Sequence, residues 1–248
     1  MSEIKKAIIL AAGRGNRIRP RTDTIHKCLI PIQGTTIIHR LLKQLSCYGI
    51  SQVVIVTGHL SDLLKQEIGS KYEGMAITYL LNKEYLTTNN IISLQIAKQY
   101  LNESILLFEA DLIIDELILA ELLASPHEDA MVVDQFRENM DGTVVSLNNN
   151  EKVIEMLLKK DQFSDMNISE YYKTVNIYKF SQKTAQKLAS EIDNAVLFNG
   201  CGSYYEVAIS NLIRTRATMF YAILPKGLKW IEIDTESDLE RAYSLFDD

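Results

Sequence analysis

The chain contains 248 residues, of which 47% are hydrophobic and 23% are charged, and its net charge is −6. This composition is typical of a globular protein, and the acidic balance argues against a nucleic-acid-binding surface. No apolar run approaches the roughly 20 residues that cross a bilayer, so no membrane partner is expected. Cys28, Cys47 and Cys201 form neither a CxxC pair nor a disulfide framework, which favours a cytoplasmic location. Cys47 lies in an apolar helical pattern and is expected in the core.

The first half of the chain alternates between strand-like and helix-like segments. We predict strands at residues 7–11, 52–57, 77–81 and 104–109. We predict helices at residues 37–48, 61–68 and 90–100, with Ser61 as the N-cap of the second. This order indicates βαβ units and a mostly parallel sheet, whose ligands bind beyond the carboxyl ends of the strands.

The second half of the chain places several predicted strands in succession. These strands lie at residues 130–134, 142–147, 152–156, 173–180, 219–223 and 230–233, with a hairpin turn at 148–150. Helices are predicted at 182–192, at 205–215 and from Glu236 onward, where Thr235 and Asp238 resemble a capping box. No linker or repeat divides the sequence, so we expect one α/β domain over residues 1–248.

The loop after the first predicted strand carries two glycines and three arginines. It runs from Gly13 to Arg19, and Lys27 follows. Glycines let backbone N–H groups approach anionic oxygens, and cations neutralise the charge that develops when a phosphoryl bond breaks. The loop matches neither a P-loop nor the dinucleotide fingerprint, because Ile18 stands at the third glycine position of the latter. In an acidic chain this pattern predicts a site for a small anion, and the alternative is a basic surface loop.

Two aspartates, Asp111 and Asp234, lie at predicted strand ends far apart in the sequence. Because the glycine loop, Gly58 and Asp111 each follow a strand of one parallel sheet, we expect them to meet in one cleft. Two carboxylates facing a triphosphate would suit Mg²⁺, which prefers oxygen ligands. Each aspartate could instead cap the helix that follows it. Glu109 is a secondary candidate, and strand alternation is expected to point Glu232 away from the side of Asp234, or onto that side only at a bend.

The glycine loop belongs to a longer pattern that extends along the chain. The pattern Leu-Ala-Ala-Gly-x-Gly-x-Arg-x-x-Pro, followed by Lys-Cys-Leu-Ile-Pro, resembles the signature of sugar-nucleotide pyrophosphorylases and related cytidylyltransferases. Asn82, Tyr85 and the block from Thr88 to Leu94 are similar to the small phosphocholine and 2-aminoethylphosphonate cytidylyltransferases. The segments 109–111 and 230–235 also fit this nucleotidyltransferase family.

Two positions depart from the family pattern. His26 stands where the family usually has a proline before the lysine, and Ala110 stands where it usually has a glycine between the acidic residues. We expect His26 to alter the approach to Lys27 without removing the charge of the lysine. We expect Ala110 to leave both neighbouring carboxylates in place.

The resemblance implies a Rossmann-like α/β nucleotidyltransferase fold, with a mixed, mostly parallel sheet, flanking helices and a small antiparallel insertion near residues 130–180. It implies transfer of a cytidylyl group from CTP to a small phosphate or phosphonate that carries a cationic amine, with Mg²⁺ as cofactor and pyrophosphate as product. Residues 1–125 would then form a nucleotide-binding half and residues 126–248 an acceptor-binding half. The alternatives are a sugar-1-phosphate nucleotidyltransferase, a non-catalytic nucleotide-binding protein and an oligomeric scaffold, and a homodimer is left open.

The resemblance also implies roles for individual residues. Arg17 and Lys27 would hold the phosphates and stabilise the transition state, and Asp111 and Asp234 would bind Mg²⁺. The nucleotide-binding set consists of Leu10, Ala11, Ala12, Gly13, Arg14, Gly15, Gly58, Asn82, Thr88 and Asn89, of which Asn89 could equally cap a helix. Aromatic faces and carboxylates attract ammonium groups, so the acceptor-binding set consists of Tyr205, Glu206, Trp230 and Asp134. Tyr205 and Trp230 could instead be core aromatics.

Overall fold

A central sheet with helices on both faces organises the residues that the computed structural model describes, 4–163 and 166–247. The described strands are β1 Lys6–Ala11, β2 Pro31–Ile32, β3 Thr35–Thr36, β4 Gln52–Thr57, β5 Lys71–Tyr72, β6 Met75–Leu81, β7 Ile105–Glu109, β8 Leu112–Ile114, β9 Ala130–Gln135, β10 Val144–Leu147, β11 Val153–Leu157, β12 Tyr171–Phe180, β13 Tyr221–Ile223 and β14 Trp230–Glu232. The described α-helices are α1 Ile37–Cys47, α2 Ser61–Ile68, α3 Asn90–Ile96, α4 Glu116–Ala124, α5 Gln182–Asn199, α6 Glu206–Arg214 and α7 Glu236–Leu245.

The middle of the sheet is parallel, and antiparallel pairs lie at both ends, including β5 with β6 at one edge. β1 lies between β4 and β7 and runs parallel to both, and β6 runs parallel to β4. β12 joins β7 antiparallel and also pairs antiparallel with β9 and β10. β8 and β14 form a separate antiparallel pair. The predicted mixed sheet, mostly parallel in the first half and antiparallel near residues 130–180, is confirmed.

The apolar run of β1 is buried on both faces of the sheet. Ile8 and Leu10 pack with α3, α5 and α6, whereas Ala7 and Ile9 pack with α1, α2 and α4. Since successive side chains of a strand point to opposite faces, an uninterrupted apolar strand requires a helical layer on each side. A third apolar cluster joins Ile18, just after β1, to β14 and α7, and it fixes the following loop at the carboxyl edge of the sheet.

Several local predictions need correction. The predicted helix 90–100 ends as an α-helix at Ile96, and Lys98–Tyr100 forms a 3₁₀ turn. Helix α4 was not predicted, because its sequence ELILAELLA is apolar almost all round and lacks an amphipathic period. The N-cap of α2 is Leu60 rather than Ser61, whose hydroxyl lies 2.7 Å from the Thr57 hydroxyl. The predicted capping box of Thr235 and Asp238 is confirmed, and no described helix is long and apolar enough to span a membrane.

The prediction that Cys47 packs in the core was wrong. Its side chain is exposed at the last residue of α1, whereas Leu41, Leu42 and Leu45 of the same helix are buried. A residue two positions beyond Leu45 points about 200° around the helix, away from the buried face.

Candidate active site

A cleft of about 1050 Å³ opens at the carboxyl ends of β1 and β7. This is the edge at which parallel α/β sheets bind ligands. The glycine loop, the segment after β6 and the start of α6 contribute to its walls. The predicted residues that line it are Leu10, Ala11, Ala12, Gly13, Gly15, Arg17, Lys27, Asn82, Thr88, Asn89, Asp111, Glu206 and Asp234. Residues from both halves of the sequence therefore meet in one crevice.

The conformation of the glycine loop requires a glycine at position 15. Gly15 has a φ of +68°, in the left-handed region that favours glycine. Its carbonyl accepts a hydrogen bond from the Thr22 hydroxyl at 2.9 Å, and a Cβ at Gly15 would lie 3.1 Å from the Thr22 methyl group and 3.3 Å from Lys27 Cβ. Arg14, which we predicted to bind nucleotide, does not line the cleft, and its Nη2 lies 3.4 Å from Asp23 Oδ1.

Gly58 supports this loop from behind rather than lining the cleft. A Cβ at Gly58 would lie 2.6 Å from the Ala12 carbonyl oxygen and 2.8 Å from Tyr85 Cβ, whereas a Cβ at Gly13 would meet nothing within 4 Å. We therefore expect Gly58→Ala to lower the free energy of unfolding by about 1–3 kcal/mol through overpacking. Gly13→Ala, the matched control, should stay within about 0.5 kcal/mol of wild type. Urea unfolding of both variants checks this, and equal losses would contradict it.

Lys27, Asp111, Asp234 and Arg17 form a chain of ion pairs inside the cleft. Lys27 Nζ lies 2.5 Å from Asp111 Oδ2 and 3.2 Å from Asp234 Oδ1, and Arg17 Nη2 lies 2.8 Å from Asp234 Oδ1. Burial disfavours the charged form of Lys27, but Asp111 and then Asp234 outweigh it, so the pKa of Lys27 is raised above its ordinary value. The lysine thus remains a cation at neutral pH, placed between two carboxylates.

A second group of carboxylates surrounds Asp111. Oxygens of Glu109, Asp111 and Glu232 lie within 4.8 Å of one another, and Asp111 Oδ1 is buried with no hydrogen-bond partner among the described residues. Burial, followed by the charges of Asp111, Glu206 and Glu232, raises the pKa of Glu109 well above its ordinary value. Hard, clustered oxygens with an unpartnered buried oxygen among them fit a divalent cation such as Mg²⁺.

The prediction that Glu232 points away from Asp234 was wrong, since both line the cleft. Residues two apart along an extended chain share a face, and the same spacing places Glu109 beside Asp111. Asp234, one of the two predicted metal ligands, lies outside the group of three and contacts the cations Lys27 and Arg17 instead. The period of two was the sequence signal that could have placed Glu109 and Glu232 on the same side as Asp111 and Asp234.

His26 anchors the segment that precedes Lys27 to the end of β1. It is almost fully buried, and its Nε2 lies 2.9 Å from the Ala11 carbonyl oxygen. The backbone N–H of Cys28 donates to its Nδ1 at 3.3 Å, so Nε2 carries the proton and donates to Ala11. Burial lowers the pKa of His26 to about 4. The neutral ring therefore supplies a donor and an acceptor where a proline would supply neither.

This buried imidazole predicts a pH dependence of stability. The pKa of His26 is lower in the folded state, about 4, than its ordinary value of 6.5, so the unfolded chain binds more protons between these values. The stabilisation is present above about pH 6.5 and falls by about 3 kcal/mol as the pH drops to about 4. The His26→Gln variant should lack this component. Urea unfolding at about pH 7 and about pH 5 tests it, with His127→Gln as control, and parallel pH profiles for His26→Gln and wild type would contradict it.

The polar segment before α3 is tied together by its own side chains. Asn82 Nδ2 donates to Thr88 Oγ1 at 3.3 Å and to Ser93 Oγ at 3.2 Å, while Asn82 Oδ1 accepts from the Glu84 backbone. Asn89 caps α3, since its Oδ1 accepts from the Asn90 backbone at 2.8 Å. Asn89 also lines the cleft, so a capping role and a place in the site coexist.

The predicted acceptor residues divide into one that lines the cleft and three that do not. Glu206, the first residue of α6, lines it and is only 6% exposed. Burial raises the pKa of Glu206 to about 7, with Glu232 raising it further while its own backbone amide, Lys173 and Thr143 lower it. Lys173 and Thr143 also line the cleft, and we did not predict either of them.

The prediction that Tyr205, Trp230 and Asp134 face the cleft needs correction. Tyr205 is fully buried and packs edge-on against Tyr178, with ring centres 5.9 Å apart. Trp230 does not line the cleft, and its indole N–H donates to Asp134 Oδ2 at 3.0 Å. Asp134 also pairs with Arg137. The apolar ring of Tyr205 is therefore buried in the core, and the polar N–H of Trp230 is already hydrogen-bonded to Asp134.

Comparisons with known proteins find relatives of this chain among nucleotide-dependent enzymes. A family model described as "Nucleotidyl transferase" matches residues 6–195. CMP-5'-(3-aminopropyl)phosphonate synthase of Streptomyces rubellomurinus is 27% identical over 241 residues, which is 96% of this chain but 38% of that protein. CTP:phosphoglutamine cytidylyltransferase of Campylobacter jejuni is 24% identical over 254 residues, covering 94% of this chain and 97% of that protein. 2-Aminoethylphosphonate cytidylyltransferase of Lancefieldella rimae is 34% identical over 116 residues, 46% of each chain.

Solved structures share the fold over nearly the whole chain. The CTP:phosphocholine cytidylyltransferase of Streptococcus pneumoniae has a TM-score of 0.78 at 22% identity, covering 98% of this chain and 99% of that one. A UDP-glucose pyrophosphorylase complexed with UDP-glucose has a TM-score of 0.81 at 15% identity, covering 97% of each chain. At these identities the likeness establishes the fold, and the predicted Rossmann-like nucleotidyltransferase architecture is confirmed.

Proposed function

Because the chain belongs to the nucleotidyl transferase family, we propose that it transfers a cytidylyl group from CTP to a small phosphate or phosphonate that carries a cationic amine. The observation that carries this proposal is the meeting of Lys27, Arg17, Asp111 and Asp234 beside the glycine loop at one edge of the sheet. The names of the Streptomyces and Lancefieldella relatives, both for aminoalkylphosphonates, support the choice of acceptor.

The reaction needs no covalent intermediate with the protein. An oxygen of the acceptor, already an anion, attacks the α-phosphorus of CTP in line. The bond from that phosphorus to the oxygen bridging the β-phosphate breaks, and pyrophosphate leaves with the electron pair. The protein therefore contributes positioning and charge stabilisation. Lys27 and Arg17 are the cations that would neutralise the oxygens of the α- and β-phosphates, while the backbone of the glycine loop offers N–H groups.

The carboxylates would hold Mg²⁺. Asp111 belongs both to the predicted pair of ligands and to the observed group of three, so we propose it as the central ligand. Glu109 and Glu232 of the observed group and Asp234 of the predicted pair are the further candidates. When bound, the ion neutralises phosphate charge and orients the triphosphate. Lys27 meanwhile would exchange its contacts with Asp111 and Asp234 for phosphate oxygens, since all three side chains line the same cleft.

Pyrophosphate release with each nucleoside triphosphate tests the proposal. The purified chain with Mg²⁺ should release pyrophosphate with CTP and phosphocholine, phosphoethanolamine or 2-aminoethylphosphonate, and mass spectrometry should detect the matching CMP adduct. Turnover with a sugar 1-phosphate and none with these amines would establish the sugar-1-phosphate alternative. Binding of Mg-CTP without turnover on any acceptor would establish a non-catalytic nucleotide-binding protein.

A further inference from the structure

We infer that the acceptor carries a primary ammonium group, bound through its N–H bonds by Glu206 and neighbouring oxygens, rather than a trimethylammonium group. This inference rests on the proposed function and narrows its acceptor. It is carried by two observations on the described residues: a buried carboxylate oxygen with no donor among them, and walls of the cleft in which they form no aromatic cage.

The carboxylate of Glu206 can accept more hydrogen bonds than the described residues donate to it. Its Oε1 accepts a hydrogen bond from the Thr143 hydroxyl at 3.5 Å, whereas its buried Oε2 has no partner among the described side chains and backbone groups of other residues. Leaving a buried oxygen in this state is unfavourable, because it has lost its contact with water without gaining a donor. Glu206 lines the cleft, where an incoming ammonium could donate to this oxygen.

Glu206 is left without an ion-pair partner among the described residues. Lys173, which also lines the cleft, is already paired with Glu232 at 3.1 Å. A primary ammonium offers three N–H donors, which the Glu206 carboxylate and the Thr143 hydroxyl can accept.

The aromatic rings do not suit a trimethylammonium group. Such a group has no N–H bond and is bound by the faces of several aromatic rings. Tyr205 is fully buried, and Trp230 has the Lys173 ammonium 5.9 Å from its ring centre. Of the tyrosines that line the described cleft, Tyr204 is two residues before Glu206 in the sequence, and Tyr85 packs against Gly58 in the wall on the side of the glycine loop. One ring near Glu206 does not make a cage.

A methylation series at constant phosphate tests this directly on the unmodified protein. The acceptors are phosphoethanolamine, its N-methyl and N,N-dimethyl derivatives, and phosphocholine, each assayed for CMP-adduct formation with Mg-CTP. We expect kcat/KM to fall at each methylation and to be at least about 100-fold lower for phosphocholine than for phosphoethanolamine, because a site built for hydrogen bonds rejects an analogue without donors. Equal values along the series, or a preference for phosphocholine, would overturn the inference and leave the proposed function standing.

A variant pair locates the effect. Glu206→Gln should raise KM for phosphoethanolamine by about 100-fold while changing KM for phosphocholine by less than about 10-fold, and Glu121→Gln on the exposed side of α4 should change neither. Equal changes for both acceptors would overturn the role of Glu206. If Glu206→Gln does not fold, the methylation series on the wild-type protein still decides. Turnover confined to sugar 1-phosphates would instead show that the proposed function itself has failed.

Discussion

Replacing Lys27 by methionine is expected to lower the rate of cytidylyl transfer by a factor of about 10² to 10³. Methionine keeps an unbranched, apolar stem but removes the ammonium that lies 2.5 Å from Asp111 and 3.2 Å from Asp234. With only 13% of the lysine side chain exposed, its charge acts on the phosphates in a partly dehydrated site, where electrostatic interactions are strong. The rate of pyrophosphate release at saturating CTP and acceptor measures this loss.

The same variant must be shown to fold, because two effects oppose each other. Asp111 loses its cation, and removing one partner of a buried pair typically costs about 3–5 kcal/mol. Burying the charged lysine also costs desolvation free energy, however, and the methionine variant no longer has this cost. Asp234 keeps a cation in the variant, because Arg17 lies 2.8 Å from it. Urea unfolding followed by circular dichroism gives the net change and the conditions in which the variant is folded.

The surface pair of Lys98 and Asp193 provides the control. It joins α5 to the 3₁₀ turn after α3, and its two side chains are 44% and 45% exposed. Lys98→Met removes the same ammonium group from an exposed ion pair, whose contribution to stability is typically below about 1 kcal/mol. Turnover and stability should therefore stay close to those of the wild type. A folded Lys27→Met protein with the same turnover as Lys98→Met would remove Lys27 from the mechanism.

The sequence predicts the parallel part of the fold because its signals are local. The apolar run of β1 and the turn residues that end it fix a strand followed by a loop, and the same holds for β4 and β7. Once those strands are parallel neighbours, their carboxyl ends share an edge, so Lys27 and Asp111 could be expected in one cleft although 84 residues separate them. The direct contact between the two charges, by contrast, depends on side-chain placement that no local pattern encodes.

The acceptor side was predicted less well because aromatic residues give an ambiguous signal. A tyrosine or tryptophan has an apolar body and a polar tip, so it suits a core as well as a ligand pocket. Tyr205 packs against Tyr178 in the core, and Trp230 donates a hydrogen bond to Asp134. Glu206 was different, because a carboxylate is rarely buried without a reason, and it does line the cleft. Residue type alone therefore did not decide which predicted side chains line the cleft, since the charged residues Arg14 and Asp134 also lie outside it.

Asp111→Asn is expected to lower turnover by about 10² to 10³ as well, but through the divalent cation rather than through direct contact with the phosphates. Asparagine keeps the shape of the side chain and removes one of three carboxylate charges whose oxygens lie within 4.8 Å of one another. The remaining Glu109 and Glu232 would then attract Mg²⁺ less strongly. Pyrophosphate release at a series of Mg²⁺ concentrations should show this as a higher metal requirement together with a lower maximal rate.

A measurement without substrates separates metal binding from catalysis. A ligand at ten times its dissociation constant stabilises the folded state by about 1.4 kcal/mol, so Mg²⁺ should raise the melting temperature of the wild type. The increase should largely disappear in Asp111→Asn and persist in Asp193→Asn, which makes the same change in the exposed pair with Lys98. An equal Mg²⁺ response in all three proteins would mean that the ion binds elsewhere, because Asp111 is the residue common to both candidate ligand sets.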